Sequence, residues 1–160
     1  MQPSTPDSGL DVELDLASAA ILVVDDHEQN LELIQAYLED LGCTVRASAD
    51  ALEALAMIQA DPPDLVILDV MMPRMSGYQL CERVKSDPAT RDVPIVMVTA
   101  LSEVSDVERA VEAGADDFLT KPVYKLELIT RARSLLRVRL LKKQLEKTLA
   151  EMRKMRGESE

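Results

Sequence analysis

The sequence predicts an α/β fold in which one parallel β-sheet carries helices on both faces. Short apolar runs alternate five times with longer segments of helical periodicity. Residues 65–68 are apolar at every position, which is typical of a strand buried on both faces of a sheet. Strands that alternate with helices imply right-handed crossovers and a doubly wound parallel sheet. A chain of 160 residues is long enough for one such domain and an appendage.

The order of elements follows from the apolar runs and from the Gly and Pro residues between them. Residues 1–19 mix Pro, Ser, Asp and Gly, which predicts a flexible leader. The predicted strands cover residues 21–24, 43–47, 65–68, 93–98 and 117–120. The predicted helices cover residues 28–41, 51–59, 77–85, 104–113 and 124–156. We therefore expect a domain over residues 20–135 and a helical extension over residues 136–160, and the short length favours the five-stranded flavodoxin-like strand order.

Charge is distributed unevenly along the chain. Residues 125–156 carry eleven Lys or Arg and three acids, a net charge of +8, whereas residues 1–124 carry −17. An acidic body of this size suits cations and basic partners and argues against direct nucleic-acid binding. No apolar run is long enough to span a membrane, and the N-terminus lacks the basic start of a signal peptide. With Cys43 and Cys81 interpreted as free thiols, the sequence predicts a soluble cytoplasmic protein without a membrane segment.

Polar side chains follow four of the five predicted strands at the point where each strand ends. Asp25 and Asp26 follow the first strand, and Asp69 follows the third. Thr99 follows the fourth strand and Lys121 the fifth. Because the carboxyl ends of parallel strands meet at one edge of the sheet, three carboxylates, a hydroxyl and an ammonium are predicted to converge there. Each one alone is equally compatible with a helix cap or a solvated side chain, but together they favour a functional site.

These residue types suggest phosphoryl chemistry assisted by a metal. Three clustered carboxylates repel one another, and a hard divalent cation such as Mg²⁺ relieves that repulsion. One carboxylate can then attack phosphorus to form an aspartyl-phosphate, while Lys121 and Thr99 stabilise the phosphoryl oxygens. The single histidine, His27, is interpreted as a surface residue at the rim of the site. The turn at residues 25–28 has no glycine, which disfavours nucleotide or flavin binding.

With Met72-Pro73 and Gly77 after Asp69, and Pro122 after Lys121, the chain resembles the receiver domain of two-component response regulators over residues 20–135. The resemblance implies that Asp69 is the phosphoacceptor of a sensor histidine kinase or phosphotransfer protein. It also implies a set of Mg²⁺ ligands, namely Asp26, Asp69 and the backbone carbonyl of Met71, with Asp25 acting through water.

The resemblance implies a switch as well as a site. Thr99 and Lys121 would bind the phosphoryl group, the Lys121–Pro122 peptide would be cis, and Phe118 would be the aromatic residue that changes rotamer with Thr99. Such a domain is a signalling switch and not an enzyme, and it signals through its fourth helix, fifth strand and fifth helix. The sequence of residues 117–122 and the long last helix further resemble receivers that precede cyclic-di-GMP enzymes.

Two other functions are weighed against this one. A Mg²⁺-dependent phosphohydrolase with Asp69 as nucleophile usually needs a second acid two residues later, and that position is Met71. A coiled-coil adaptor would leave the four polar strand ends without a role.

The last helix overshoots a small sheet and carries a heptad-like apolar pattern. Its seam has steps of 3, 4, 3, 4 and 3 and consists of Val138, Leu141, Leu145, Thr148, Met152 and Met155. The pattern predicts a phosphorylation-dependent homodimer with paired tails, and a solvated linker or a basic arm for nucleic acid are the alternatives.

Overall fold

The computed structural model describes residues 15–100 and 103–157, which contain one five-stranded parallel sheet in the order β2-β1-β3-β4-β5. Its strands are β1 (Ala20–Val24), β2 (Thr44–Ser48), β3 (Leu65–Asp69), β4 (Ile95–Thr99) and β5 (Asp117–Thr120). This order reverses direction between β1 and β3, as in the flavodoxin-like doubly wound fold. The predicted fold class is therefore confirmed.

Five helices alternate with the strands. They are α1 (Glu28–Leu38), α2 (Ala51–Ala60), α3 (Gly77–Ser86), α4 (Val104–Ala113) and α5 (Lys125–Met155). The predicted boundaries match these or differ by up to three residues, because helix ends are set by local caps. The first helix, for example, ends in a 3-10 turn (Glu39–Leu41) that is closed by Gly42 in the left-handed conformation.

Two apolar clusters lie on opposite faces of the sheet. Val66 and Leu68 of β3 pack with α2, α3 and α4 on one face. Leu65 and Ile67, the alternate residues of the same strand, pack with α1 and α5 on the other face. Since both faces are covered, β3 is buried at every position, as its unbroken apolar pattern predicts.

Contacts with the body continue beyond both ends of the predicted domain, residues 20–135. Residues 1–14 of the predicted leader lie outside the described residues, but Leu16 begins a 3-10 turn (Leu16–Ser18) and packs against the α1–α5 cluster. At the other end Leu136 is fully buried and Leu140 packs against the same cluster. The helix α5 has 31 residues, about 46 Å at 1.5 Å per residue. No helix in the described ranges has both the length and the apolar character that a membrane span requires.

Candidate functional site

The strand register brings the polar strand ends to one edge of the sheet. Val24 of β1 pairs with Leu68 of β3, so Asp25 and Asp69 follow at the same level. Asp69 in turn pairs with Val98, the residue that precedes Thr99 in β4. The predicted convergence of side chains therefore has its origin in the register of three parallel strands.

An acidic cluster forms at this edge. Asp25 and Asp69 are almost fully buried, and Asp26 is partly buried. A ligand atom from each of these three residues and from His27 lies within 4.8 Å of all the others. Burial raises the pKa of the Asp69 carboxyl, the neighbouring Asp25 charge raises it further, and Lys121 acts in the opposite direction.

Lys121 supplies the positive charge of the site. Its Nζ lies 3.4 Å from Oδ1 of Asp69 and 3.6 Å from Oδ2 of Asp25. The Lys121 amide donates a 2.8 Å hydrogen bond to the carbonyl of Thr99, which holds the end of β5 against the end of β4. The Lys121–Pro122 peptide is cis, as the resemblance implies.

His27 contacts the acidic cluster, although the sequence predicts only a surface residue at the rim of the site. Its side chain is 67% exposed, in agreement with the predicted position at the rim. Its Nδ1 nevertheless lies 3.1 Å from Oδ1 of Asp26 and 3.3 Å from Oδ1 of Asp25, and its amide donates to Asp25. The signal in the sequence is its place directly after two acids at the start of α1.

The donor set fits a hard divalent cation. Within the described part of the chain, Oδ1 of Asp26 is buried and has no hydrogen-bond partner, although the His27 ring lies 3.1 Å from it. Buried carboxylate oxygens normally have such a partner, so this atom has spare capacity for a metal. Carboxylate oxygens are the ligands that Mg²⁺ prefers. The residues present therefore fit Mg²⁺.

Thr99 and Phe118 lie on the neighbouring strands β4 and β5. Thr99 is fully buried at the end of β4. Phe118 is partly buried in the neighbouring strand β5, and it lines a groove of about 190 Å³ between α4 and β5 together with Val107 and Val111. The aromatic ring therefore lies in the groove against α4.

The sequence alone does not show why a glycine is needed at position 77, beside the site. Its amide donates a 2.8 Å hydrogen bond to the carbonyl of Val70, so α3 begins directly against the end of β3. A Cβ on Gly77 would overlap the carbonyl oxygen of Asp69. Ser76 and Gln79 form a capping box that satisfies backbone N–H groups at this helix start.

A flavodoxin-like sheet with an acidic pocket and a lysine at its carboxyl edge has the architecture of an α/β signalling domain. Comparison with family models agrees: residues 21–133 match the response regulator receiver domain, and the chain belongs to this family. As a member of it, the chain is a receiver domain of two-component signalling, and receiver domains are signalling switches.

Several characterised proteins are similar to this chain. The response regulator PleD of Caulobacter vibrioides is 45% identical over 138 residues, which are 86% of this chain and 30% of PleD. The DNA-binding dual master transcriptional regulator RpaA of Synechocystis is 38% identical over 73% of this chain and 48% of its own length. The chain thus spans between about a third and a half of the relatives it matches.

Solved structures show the same similarity. A putative response regulator from Chloroflexus aurantiacus has a TM-score of 0.71 and 39% identity over 74% of this chain and 98% of its own. The chemotaxis protein CheY4 of Vibrio cholerae has a TM-score of 0.70 and 30% identity over 74% of this chain and 98% of its own.

Proposed function

We propose that this chain is a phosphorylation-controlled switch in which Asp69 accepts phosphate from a phosphohistidine. The observation that carries the proposal is the position of Lys121 Nζ, 3.4 Å from a buried Asp69 carboxylate, in a cluster that also holds a carboxylate oxygen of Asp26 without a hydrogen bond. Receiver domains bind Mg²⁺ in such a pocket and are phosphorylated by histidine kinases or phosphotransfer proteins. The domain therefore accepts phosphate and passes on a signal.

The transfer is a substitution at phosphorus. A carboxylate oxygen of Asp69 attacks the phosphorus atom, the N–P bond of the donor breaks, and the imidazole leaves with its electron pair. Asp26, Asp69 and the Met71 carbonyl would hold Mg²⁺, with Asp25 acting through water, and the ion would neutralise charge on the phosphoryl oxygens. Lys121 stabilises the same oxygens as a point charge.

The switch then involves the residues between the site and α4. The Thr99 hydroxyl binds the phosphoryl group, and Phe118 moves inward from the groove it lines between α4 and β5. Three valines on the α4 surface, Val104, Val107 and Val111, are 75%, 39% and 68% exposed. A small shift of α4 therefore changes an apolar surface that a partner or a second copy can bind.

The phosphodonor needs a docking surface close to Asp69. An apolar groove of about 340 Å³ lies between α1 and the segment after β5, and Lys121 lines one end of it. Leu33 and Tyr124 lie on its walls and are 46% and 66% exposed. We place the donor protein here, because a bound helix would hold its histidine near the acidic cluster.

The output is a phosphorylation-dependent homodimer formed by α4, β5 and α5. The apolar tail residues of α5 are exposed, with Leu141 45% and Leu145 58% exposed, and they continue the dimer beyond the sheet.

A phosphohydrolase is less well supported, because Met71 takes the place of the second acid that such an enzyme needs. Both cysteines are free thiols, which fits the reducing cytoplasm we propose as the location.

Intact-mass analysis after incubation with acetyl phosphate tests the phosphoacceptor assignment. Wild-type protein with Mg²⁺ should gain one phosphoryl group, and protein in EDTA should gain none. Asp69→Asn should remain unmodified, while Asp61→Asn, which changes an exposed acid away from the site, should behave as wild type. Labelling of Asp69→Asn would refute the assignment.

A further inference from the structure

A buried acid lies at the opposite edge of the sheet from Asp69. Asp64 directly precedes β3, and its side chain is only 8% exposed. An ionised carboxylate in such a position is costly unless charged and polar groups satisfy it. Its Oδ2 accepts a 2.9 Å hydrogen bond from the amide of Ala20, the first residue of β1.

The charge partners of Asp64 come from the helical extension. Lys143 Nζ donates a 2.9 Å hydrogen bond to Oδ1 of Asp64, and Arg139 Nε lies 3.4 Å from the same oxygen. Arg139 also donates to the carbonyl of Asp92, ahead of β4, over 3.4 Å. Two cations one helical turn apart therefore fasten α5 to the amino ends of two central strands.

Burial and the partners of Asp64 act in opposite directions on the pKa of its carboxyl. Burial alone would raise the pKa of Asp64. The hydrogen bonds from Lys143 and Ala20, with the charges of Lys143 and Arg139, outweigh burial and hold the pKa of Asp64 below its usual range. Asp64 is therefore ionised, and its charge depends on the tail for compensation.

The two cations continue the body-facing side of α5. At 100° per residue, Arg139 and Lys143 fall on the same side of the helix as the buried residues Ala132 and Leu136. Leu140, on that side too, packs against the α1–α5 cluster. The exposed residues Leu141 and Leu145 fall roughly 120° or more away from this side. Helix α5 therefore remains bound to the body through Lys143, and residues 144–149 are exposed.

We propose that Asp64 is a positioning residue that locks residues 136–143 onto the receiver body, so that the helical extension leaves the sheet as a fixed arm and not as a linker. The lock lies about 17 Å from Asp69, five residues along the same strand at 3.3 Å per residue. It fixes which face of the arm is turned away from the body and therefore available to a partner. The folded unit then ends at residue 143 and not at 135. This inference does not rest on the assignment of Asp69 as phosphoacceptor.

Hydrogen exchange of the full chain, read by mass spectrometry, tests the lock. At a concentration where the protein is monomeric, Asp64→Asn and Lys143→Gln should make the amides of residues 138–147 exchange at least about tenfold faster, because a buried charge pair loses one partner. Lys143→Arg, which keeps the charge and the reach, should restore protection. Lys147→Gln and Asp61→Asn, exposed neighbours of the two partners, should leave exchange unchanged.

A merely structural role would give a different result. If Asp64 only stabilises the fold, exchange will rise equally across the five strands and the arm, and the proposal is overturned. Unchanged exchange in Lys143→Gln would overturn it as well; Lys143 is half-exposed, so this variant folds even if Asp64→Asn does not. Uptake of phosphate from acetyl phosphate should be unaffected in both variants, so that failure of the lock and failure of the phosphoacceptor assignment are distinguishable.

Discussion

Gly77 and Asp69 are in such close contact that the first residue of α3 has no room for a side chain beside the Asp69 backbone. The carbonyl of Asp69 lies where a Cβ on Gly77 would be, and the neighbouring Cα of Val70 is also too close. The start of α3 therefore determines the position of the end of β3, where Asp69 lies.

Gly77→Ala should destabilise the fold, although alanine is normally the better residue at a helical position. We expect a loss of about 1–3 kcal/mol in urea unfolding, the usual cost of overpacking, and slower phosphate uptake because Asp69 is displaced. Ser76→Ala is the matched control: it removes a helix cap worth about 1 kcal/mol but should leave phosphate uptake intact. Equal stability of Gly77→Ala and wild type would refute the steric argument.

Removal of the Asp69 charge should stabilise the metal-free protein. Burial and the Asp25 charge raise the pKa of Asp69, so its ionised form is disfavoured in the folded state at neutral pH. In EDTA, the Tm of Asp69→Asn should therefore exceed that of wild type by about 3 °C, the response to roughly 1 kcal/mol in a domain of this size. Mg²⁺ should raise the Tm of wild type but not of the variant. A lower Tm for the variant in EDTA would contradict the repulsion.

The lifetime of the phosphoryl group should depend on Met71. This side chain is 61% exposed beside the site, is apolar, and offers no hydrogen bond to an attacking water. The sequence suggests the same role for Leu101, which lies outside the described residues. Met71→Asn, alone or with Leu101→Glu, should speed phosphate loss by roughly tenfold, about 1.4 kcal/mol in the barrier. Met71→Leu should keep the slow rate; equal rates for Asn and Leu variants would exclude this role.

Cys81 should be unreactive in the folded protein. Burial raises the pKa of its thiol to about 12, and its Sγ donates to the carbonyl of Ala113. Only the thiolate reacts with iodoacetamide, so labelling at pH 8.5 should be at least about 100-fold slower in buffer than in urea. Above pH 9 the unfolded thiol ionises while the folded one stays protonated, so stability should fall as the pH rises from 9 toward 12. Rapid labelling in buffer would show that the site opens.

The sequence is most informative where residues act through regular geometry. The unbroken apolar run of β3 predicts a central strand, and strand ends in a parallel sheet predict that Asp25, Asp69 and Lys121 converge. Long-range partners are harder to predict, because nothing local relates Asp64 to Lys143, which is 79 residues later. In the sequence, this contact corresponds to a lone acid before an apolar strand and to two cations four residues apart on a helix.

The predicted seam of the tail is a second case in which spacing gives only part of the answer. Spacing alone suggests Thr148 as a seam residue and leaves Leu149 out. In the structure Leu149 is 41% exposed, and at 100° per residue it falls about 40° from Leu145 on one side of the exposed face, while Thr148 falls about 20° from Leu141 on the other side. The exposed face of the arm is therefore more apolar than a strict heptad pattern indicates.

Association through this face should depend on phosphorylation and on its leucines. The positive charge of residues 125–156 opposes pairing of two tails, so tail contacts alone should give only weak dimers. In the proposed dimer, activation adds the α4 surface about the same two-fold axis. Beryllofluoride, a phosphoryl mimic, should therefore tighten the dimer of wild type by about tenfold, or 1.4 kcal/mol, in sedimentation equilibrium.

Leu141→Glu/Leu145→Glu should lose most of this dimer, because four buried carboxylates would face one another across the two-fold axis. Leu52→Glu is the matched control, since Leu52 is as exposed as Leu141 but lies on α2, away from α4 and the tail. It should associate like wild type with and without beryllofluoride. An association constant that stays the same across all three proteins and both conditions would rule out the tail and the switch surface as the dimer interface.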